Sequence, residues 1–344
     1  MENTRVTRLD YCQFLLSSQI NYTLTYFADH VKKWSHDVIN RYLNGEHITP
    51  RRVWENVRAD MVPSPNGYVV FDDTVLEKPY SSQIGLVRRQ YRGNAKTVVK
   101  GIGVVNCVYV NPDLDRFWSI DYRIYQPDDD GKTKLRHACE MLSQVRYQKA
   151  LPFQGVLMDT WYAKKWFLWV IERMQKVYYC PIQANRLVNE SGRPRDDQHV
   201  ADVSWTAEEL QAGKCVHLRG FPQGHQVKVF RLQRVTTRTE PEIDYIVTNS
   251  RTAVSLKVVQ EANDFRWNVE EFHRETKQLT GIGACQCRSA RIQRNHIGCA
   301  ILVWIRLKHV AYTRGYTIYQ LKRGLLDEYV TQQLRNPTIK MVLA

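Results

Sequence analysis

Three carboxylates that lie far apart along this chain stand where they can meet. Asp72 follows a short β-branched and aromatic run (Tyr68-Val69-Val70-Phe71), Asp159 follows another (Gly155-Val156-Leu157-Met158), and Glu270 lies in a late stretch, residues 266–277, that has neither Pro nor Gly. Converging carboxylates repel one another unless cations lie between them. Mg²⁺ takes oxygen ligands and keeps part of its water, so a three-carboxylate site can hold two ions bridged by a substrate phosphate. Two ions about 3.5–4 Å apart activate an attacking oxygen and stabilise a leaving one in an in-line displacement. Each Asp alone also reads as a turn or cap residue. The three together, in this order and within an α/β pattern, point to phosphodiester chemistry.

The Glu270 stretch predicts a helix. At about 100° per residue, Phe265, Val269, Phe272, Thr276 and Leu279 form one mainly apolar stripe, and Arg266, Glu270, His273 and Lys277 a charged one beside it. The first stripe can pack on a core while the second points a carboxylate and several cations at one place, which suits a metal ion beside a phosphate. The same spacing also describes an ordinary solvated ion-pair face, and the rest of the chain decides between the two.

Periodicity gives the elements that must position these groups. Residues 8–60 read as helical: Leu15, Leu16, Ile20, Leu24 and Phe27 recur at helical spacing, then Val31, Trp34, Val38, Ile39 and Leu43. Ser35-His36-Asp37 offers a helix start, Asn44-Gly45 a stop, and Thr49-Pro50 opens another helix that begins with Arg51 and Arg52. Two short helices joined by a turn allow a helix-turn-helix-like DNA reader, and equally a plain helical cap on the next domain. From residue 62 the period changes. Strands are expected at 68–71, 101–110 and 117–125, a meander with a basic loop at 88–93 inside it. A helix at 132–147, a strand at 155–158, a helix at 163–174 and a strand at 177–182 come next. Functional groups in open α/β sheets gather beyond the carboxyl ends of strands, so strands ending level would bring Asp72 and Asp159 together. Residues 186–246 are polar and turn-rich with short strand-like pieces, too long and patterned for a simple loop. After them come a strand at 245–248, the Glu270 helix, a break at 279–283, an apolar helix at 297–307 and a helical remainder.

At 344 residues the chain is long enough for two or three domains. Its 49 basic and 35 acidic residues leave a net charge of +14, spread along the chain, which favours a polyanionic partner held in a groove built from several segments. No apolar run reaches the roughly 18 residues that a transmembrane helix needs, and residues 1–5 lack a signal peptide's apolar segment. The eight cysteines are scattered, mostly within apolar runs, as expected for reduced thiols in a cytosolic protein. Cys285 and Cys287 with His296 make half a zinc site, but no second pair stands at matching spacing.

These residues resemble the insertion-sequence transposases of the DDE class, which have an RNase H-like core and a Tyr-x2-Arg-x3-Glu-x6-Lys signature. Arg266, Glu270 and Lys277 carry that spacing, and the family's hydrophobic run into Asp-x-Thr corresponds to Val69-Val70-Phe71-Asp72-Asp73-Thr74. Its second Asp, with an aromatic three residues on, corresponds to Asp159 and Tyr162. The resemblance covers roughly residues 65–310. It departs at position 263, where Asn263 stands in place of the signature Tyr with Phe265 nearby. Asp73 remains an alternative to Asp72, since neighbours on a strand point to opposite faces.

The resemblance implies an α/β fold: an RNase H-like mixed sheet flanked by helices, with a β-rich insertion and an N-terminal helical DNA-binding domain. The expected division is 1–62 for DNA binding, 63–185 and 247–310 for the two parts of the catalytic core, 186–246 for the insertion and 311–344 for a C-terminal helical region. It implies cut-and-paste transposition through end hairpins, with Asp72, Asp159 and Glu270 holding two Mg²⁺ (Mn²⁺ as substitute). Arg266 and Lys277 would hold phosphates, with His273 and Arg274 beside them. Arg41, Arg51 and Arg52 would contact terminal repeats, and Trp161 or Trp205 would receive a base turned out of the stack. The expected partners are double-stranded DNA, at transposon terminal inverted repeats and target, and a second copy in a homodimer, with no membrane. The expected location is cytoplasmic and nucleoid-associated in a prokaryote. Two other readings share the features: an RNase H-like nuclease or resolvase without strand transfer, and a transposase-derived DNA-binding protein that has lost its chemistry.

Overall fold

The computed structural model describes residues 5–79, 83–92, 97–234, 242–250, 252 and 254–340. Four helices come first: α1 (Arg8–Ser17), α2 (Leu24–Val31), α3 (His36–Gly45) and α4 (Pro50–Val57). Then come β1 (Tyr68–Glu77), β2 (Arg88–Arg92), β3 (Thr97–Asn111), β4 (Arg116–Ile124), α5 (Pro127–Asp130), α6 (Lys134–Tyr147), β5 (Gly155–Met158), α7 (Lys165–Arg173) and β6 (Val177–Ile182). Next are β7 (Leu187–Asn189), β8 (Gln198–His199), α8 (Ala207–Ala212), β9 (Lys214–Leu218), β10 (Val227–Arg234) and β11 (Glu242–Thr248). The chain closes with α9 (Leu256–Phe265), α10 (Trp267–Leu279), α11 (Ala290–Arg314) and α12 (Ile318–Arg335). It divides into two compact units, one of residues 1–60, 75–103 and 272–344, the other of 61–74 and 104–271.

The first unit is built on α11. Its residues from Ile292 to Lys308 are buried nearly all round, as a helix at the centre of a bundle must be, and α1, α3, α4 and α12 pack on it. Buried polar groups on α11 tie the bundle together. Asn295 donates to the Leu43 and Glu46 carbonyls (both 2.7 Å) and accepts from the Ile48 amide (2.8 Å), closing the end of α3. His296 uses both ring nitrogens, with the Tyr11 hydroxyl at 2.8 Å and the Gly281 carbonyl at 2.9 Å. That leaves no nitrogen for a metal, so the half zinc site weighed from Cys285, Cys287 and His296 lacks its imidazole. Glu275 of α10, 3% exposed, accepts from Trp304 Nε1 (2.8 Å) and from Lys308 Nζ (3.0 and 3.2 Å). Ser35 caps α3 and Thr49-Pro50 starts α4, as their types predict. The basic segment expected as a loop is instead strand β2, paired antiparallel with residues 97–101 of β3; Gly93 of that expected loop lies outside the described residues. Ile20, placed on the apolar stripe of a helix, sits between α1 and α2 at 92% exposed.

The second unit is a mixed sheet. Strand order across it is β3-β1-β5-β6-β11-β10-β9-β7-β8, with β4 on the free side of β3. β1, β5 and β6 are parallel, and β4 pairs antiparallel with β3. Helices α6, α7 and α9 pack against these strands, so the unit is a mixed sheet flanked by helices, as expected. From β11 outward every pairing is antiparallel, so the β-rich stretch continues the same sheet through hairpin-type neighbours. β5 and residues 101–111 of β3 are buried without alternation, the burial of strands covered on both faces. β1 does not stop at Asp72 as its composition had indicated. It runs on to Glu77, and beyond it the Lys78 amide still donates to the Lys100 carbonyl of β3 at 2.9 Å, so a ladder partner keeps it extended.

Two outcomes test this packing. Glu275→Ala leaves the Lys308 charge buried without its carboxylate, and urea unfolding should show a loss of about 3–5 kcal/mol; a loss under about 1 kcal/mol would mean that the pair is not a buried one. Burial holds His296 at about 4 and His273 at about 3, below the ordinary imidazole range. A depressed folded value leaves stability full above that range and erodes it as pH falls towards those values. Melting temperature should therefore drop between pH 7 and pH 5, and less so in His296→Asn.

Candidate active site

The sheet register sets the first two acids. β1 and β5 run parallel with Tyr68 opposite Gly155 and Phe71 opposite Met158, so Asp72 and Asp159 come next at the same level. β5 ends there, and Asp159 opens a single 3₁₀ turn over Thr160–Tyr162 without using its carboxylate as a cap. Asp159 is therefore half-exposed, and Asp72 half-buried.

The third acid arrives on a helix that begins one residue later than its pattern predicts. α9 ends at Phe265, whose ring stacks on Tyr68 at 5.6 Å. Arg266 forms the turn, its amide bonded to the Asn263 carbonyl at 3.1 Å, and α10 starts at Trp267. Arg266 keeps a helical backbone conformation and its expected place beside Glu270, and is 8% exposed. Its Nη1 lies 3.2 Å from Glu270 Oε1 and 4.0 Å from Asp159 Oδ1. One guanidinium nitrogen thus stands between two acids that are 111 residues apart in sequence. The guanidinium carbon sits 5.0 Å from the Trp267 ring centroid, and Nε is buried without a hydrogen-bond partner.

Asp72 completes the group electrostatically. Burial raises its carboxyl well above the ordinary range, and the Asp73, Asp159 and Glu270 charges push it further up. Asp73 is engaged elsewhere: its Oδ1 accepts from the Tyr162 hydroxyl at 3.0 Å and its Oδ2 from Lys134 Nζ at 2.5 Å. The structure therefore brings Asp159, Glu270 and Arg266 into direct contact, with Asp72 near enough to feel the charge of both acids. The donor set is carboxylate oxygen throughout, which fits a hard divalent cation, and its charge calls for cations that Arg266 supplies only once. Among the described residues, no three His, Cys, Asp or Glu side chains are close enough to hold a metal ion; Arg266 fills the gap between two of them.

The other expected contacts divide by exposure. Arg41, Arg51, Arg52, Arg274 and Lys277 are exposed, though Arg51 and Arg52 share Glu55 at 3.0 and 3.1 Å. His273 is 8% exposed and held neutral by burial, so it offers no charge to a phosphate; the helical wheel placed it on the surface without showing that the core covers that side. Trp161 is 49% exposed on the turn after Asp159, edge-on to Tyr162 at 5.0 Å and with Lys134 Nζ 6.0 Å from its ring centroid. Trp205 is half-buried, with its Nε1 buried and unpartnered. Sequence reasoning assigned no part to Lys134 or Trp267. Nothing marks Lys134 in advance beyond its place at a helix start, whereas Trp267, 43% exposed beside Arg266, carried the signal of a neighbour in the signature.

No curated protein matches the chain. Among solved structures it bears a distant likeness to a cryo-EM structure of a piggyBac transposase synaptic complex with hairpin DNA, at 12% identity and a TM-score of 0.48, covering 99% of this chain and 76% of that one. The sequence profile described as "Transposase DDE domain" matches residues 120–306, more than half of the chain. No helix among the described residues is long and apolar enough to cross a membrane. The protein belongs to the DDE transposase family.

Proposed function

We propose that this chain is a cut-and-paste DNA transposase whose active site is Asp72, Asp159 and Glu270. The observation that carries the reading is the sharing of Arg266 by Asp159 and Glu270, with Asp72 level with Asp159 in the sheet. Asp72 is assigned in preference to Asp73 because it keeps the Asp-x-Thr spacing and lies level with Asp159, while Asp73 bonds to Lys134 and Tyr162. Two Mg²⁺ bound at these acids would supply an activated attacking oxygen and a stabilised leaving oxygen. The acids bind and space the reacting groups. Arg266, released from its two carboxylates, is aimed at a scissile phosphate as a charge-assisted donor. Lys277 and Arg274, exposed later on α10, hold DNA phosphates.

The transposon end is hydrolysed first. The freed 3′-OH then attacks the opposite strand to close a hairpin, and after reopening attacks target DNA. Trp161, exposed one turn from Asp159, is the surface on which an extruded base stacks. Residues 1–62 read the terminal repeats through Arg41, Arg51 and Arg52. Residues 63–185 and 247–310 form the catalytic core around the 186–246 insertion, and residues 311–344 a helical tail. Two ends are cut together by a homodimer. The net charge of +14 supplies the general attraction to DNA.

Alanine at Glu270 should abolish Mg²⁺-dependent cleavage of end DNA while leaving binding intact in a gel-shift assay; retained cleavage removes Glu270 from the site. A strand-transfer assay with pre-cut ends separates a transposase from a nuclease on the same core. Asp72→Asn should raise the metal-free melting temperature at pH 7 by at least about 2 °C. The raised folded value of Asp72 means that its stability contribution is full below the ordinary Asp range and lost as pH climbs through the higher value. An unchanged or lower melting point would place Asp72 outside the charge cluster.

A further inference from the structure

Backbone pairing between β1 and β5 stops at Phe71 and Met158, one residue before the two acids. Past those residues the two strands are tied by side chains. Asp73 comes directly after Asp72, and Tyr162 closes the 3₁₀ turn that Asp159 opens. The Tyr162 hydroxyl donates to Asp73 Oδ1 at 3.0 Å, and Lys134, from the first turn of α6, donates to Asp73 Oδ2 at 2.5 Å. Tyr162 is 1% exposed, and the Lys134 and Asp73 side chains are 13% and 17% exposed. These bonds are thus largely shielded from water, where charge-assisted hydrogen bonds hold geometry most firmly. They join three segments: the end of the paired part of β1, the turn after β5 and the start of α6. Two carboxylates placed level with each other repel, and the Asp73–Tyr162 bond ties the two strands just beyond their last paired residues.

We propose that Tyr162 and Lys134 are positioning residues, a clamp on Asp73 that fixes the spacing of Asp72 and Asp159 for a divalent cation. They touch neither substrate nor metal. They act on the ligands as hydrogen-bonded outer groups act in other metal sites. The proposal rests on the reading of Asp72 and Asp159 as metal ligands. It adds that their separation is set by contacts to Asp73 rather than by the three acids themselves. A merely structural role would show as lost stability with cation affinity unchanged.

The test is Mn²⁺ titration of the full chain, followed by the electron paramagnetic resonance of free Mn²⁺, alongside thermal melts. Tyr162→Phe keeps the ring and removes only the hydroxyl; Lys134→Met removes the charge, and Lys134→Arg restores it. We expect Tyr162→Phe and Lys134→Met each to weaken Mn²⁺ binding roughly 10–100-fold, with Lys134→Arg close to the parent chain. Should one variant fail to fold, the other decides. Parent-like Mn²⁺ affinity in the folded variants overturns the clamp while Asp159→Ala still abolishes binding. Mn²⁺ binding that survives Asp159→Ala overturns the metal-site reading itself, and the clamp with it.

Discussion

Mutual repulsion among acids is the constraint on which this site depends. Asp72, Asp159 and Glu270 are drawn together by a parallel strand pair and a helix start, and nothing about negative charge favours that gathering. Three features offset it. Arg266 lies between two of the acids, Lys134 and Tyr162 hold the neighbouring Asp73 by hydrogen bonds, and Asp72 is raised towards its neutral form. Each is local, and each comes from a segment distant in sequence. The sheet supplies the rigid reference. Four consecutive residues of β1 are in register with β5, so a one-residue slip would turn Asp72 to the opposite face.

The helix that bears Glu270 owes its stability to its packed side. Val269, Phe272 and Thr276 are buried, and the Glu275 carboxylate is satisfied by Trp304 and Lys308. A surface helix of this composition, with a β-branched Val and Thr, would be marginal alone. Gly281, in a left-handed conformation at φ 65, ends the segment where the Tyr22 ring leaves no room for a Cβ. Within its own unit, the third acid is held at the start of its helix by the Arg266 contact.

Much of this was legible in the chain, for physical reasons. β5 and β6 fall on the residues expected because short apolar runs bounded by turn residues have no helical alternative of sufficient length. Ser35 and Thr49-Pro50 marked helix starts because their side chains and ring suit those positions. The effects of neighbours failed to show. β1 overran Asp72 because a partner strand continues beside it. His273 was covered by packing, since periodicity defines a face but not what lies against it. The Lys134–Asp73 and Tyr162–Asp73 bonds span 61 and 89 residues. No local spacing encodes them.

The guanidinium lodged between Asp159 and Glu270 has a consequence for how such a protein lives in a cell. Many small metalloproteins stay unfolded until their ion arrives, because the ligands alone cannot tolerate one another. This chain carries a resident counter-ion of its own, covalently tethered and permanently charged. Were a divalent cation to bind at the proposed site, its arrival would be an exchange of one positive charge for another. The guanidinium displaced in that exchange would be free at the moment a phosphate needs a donor.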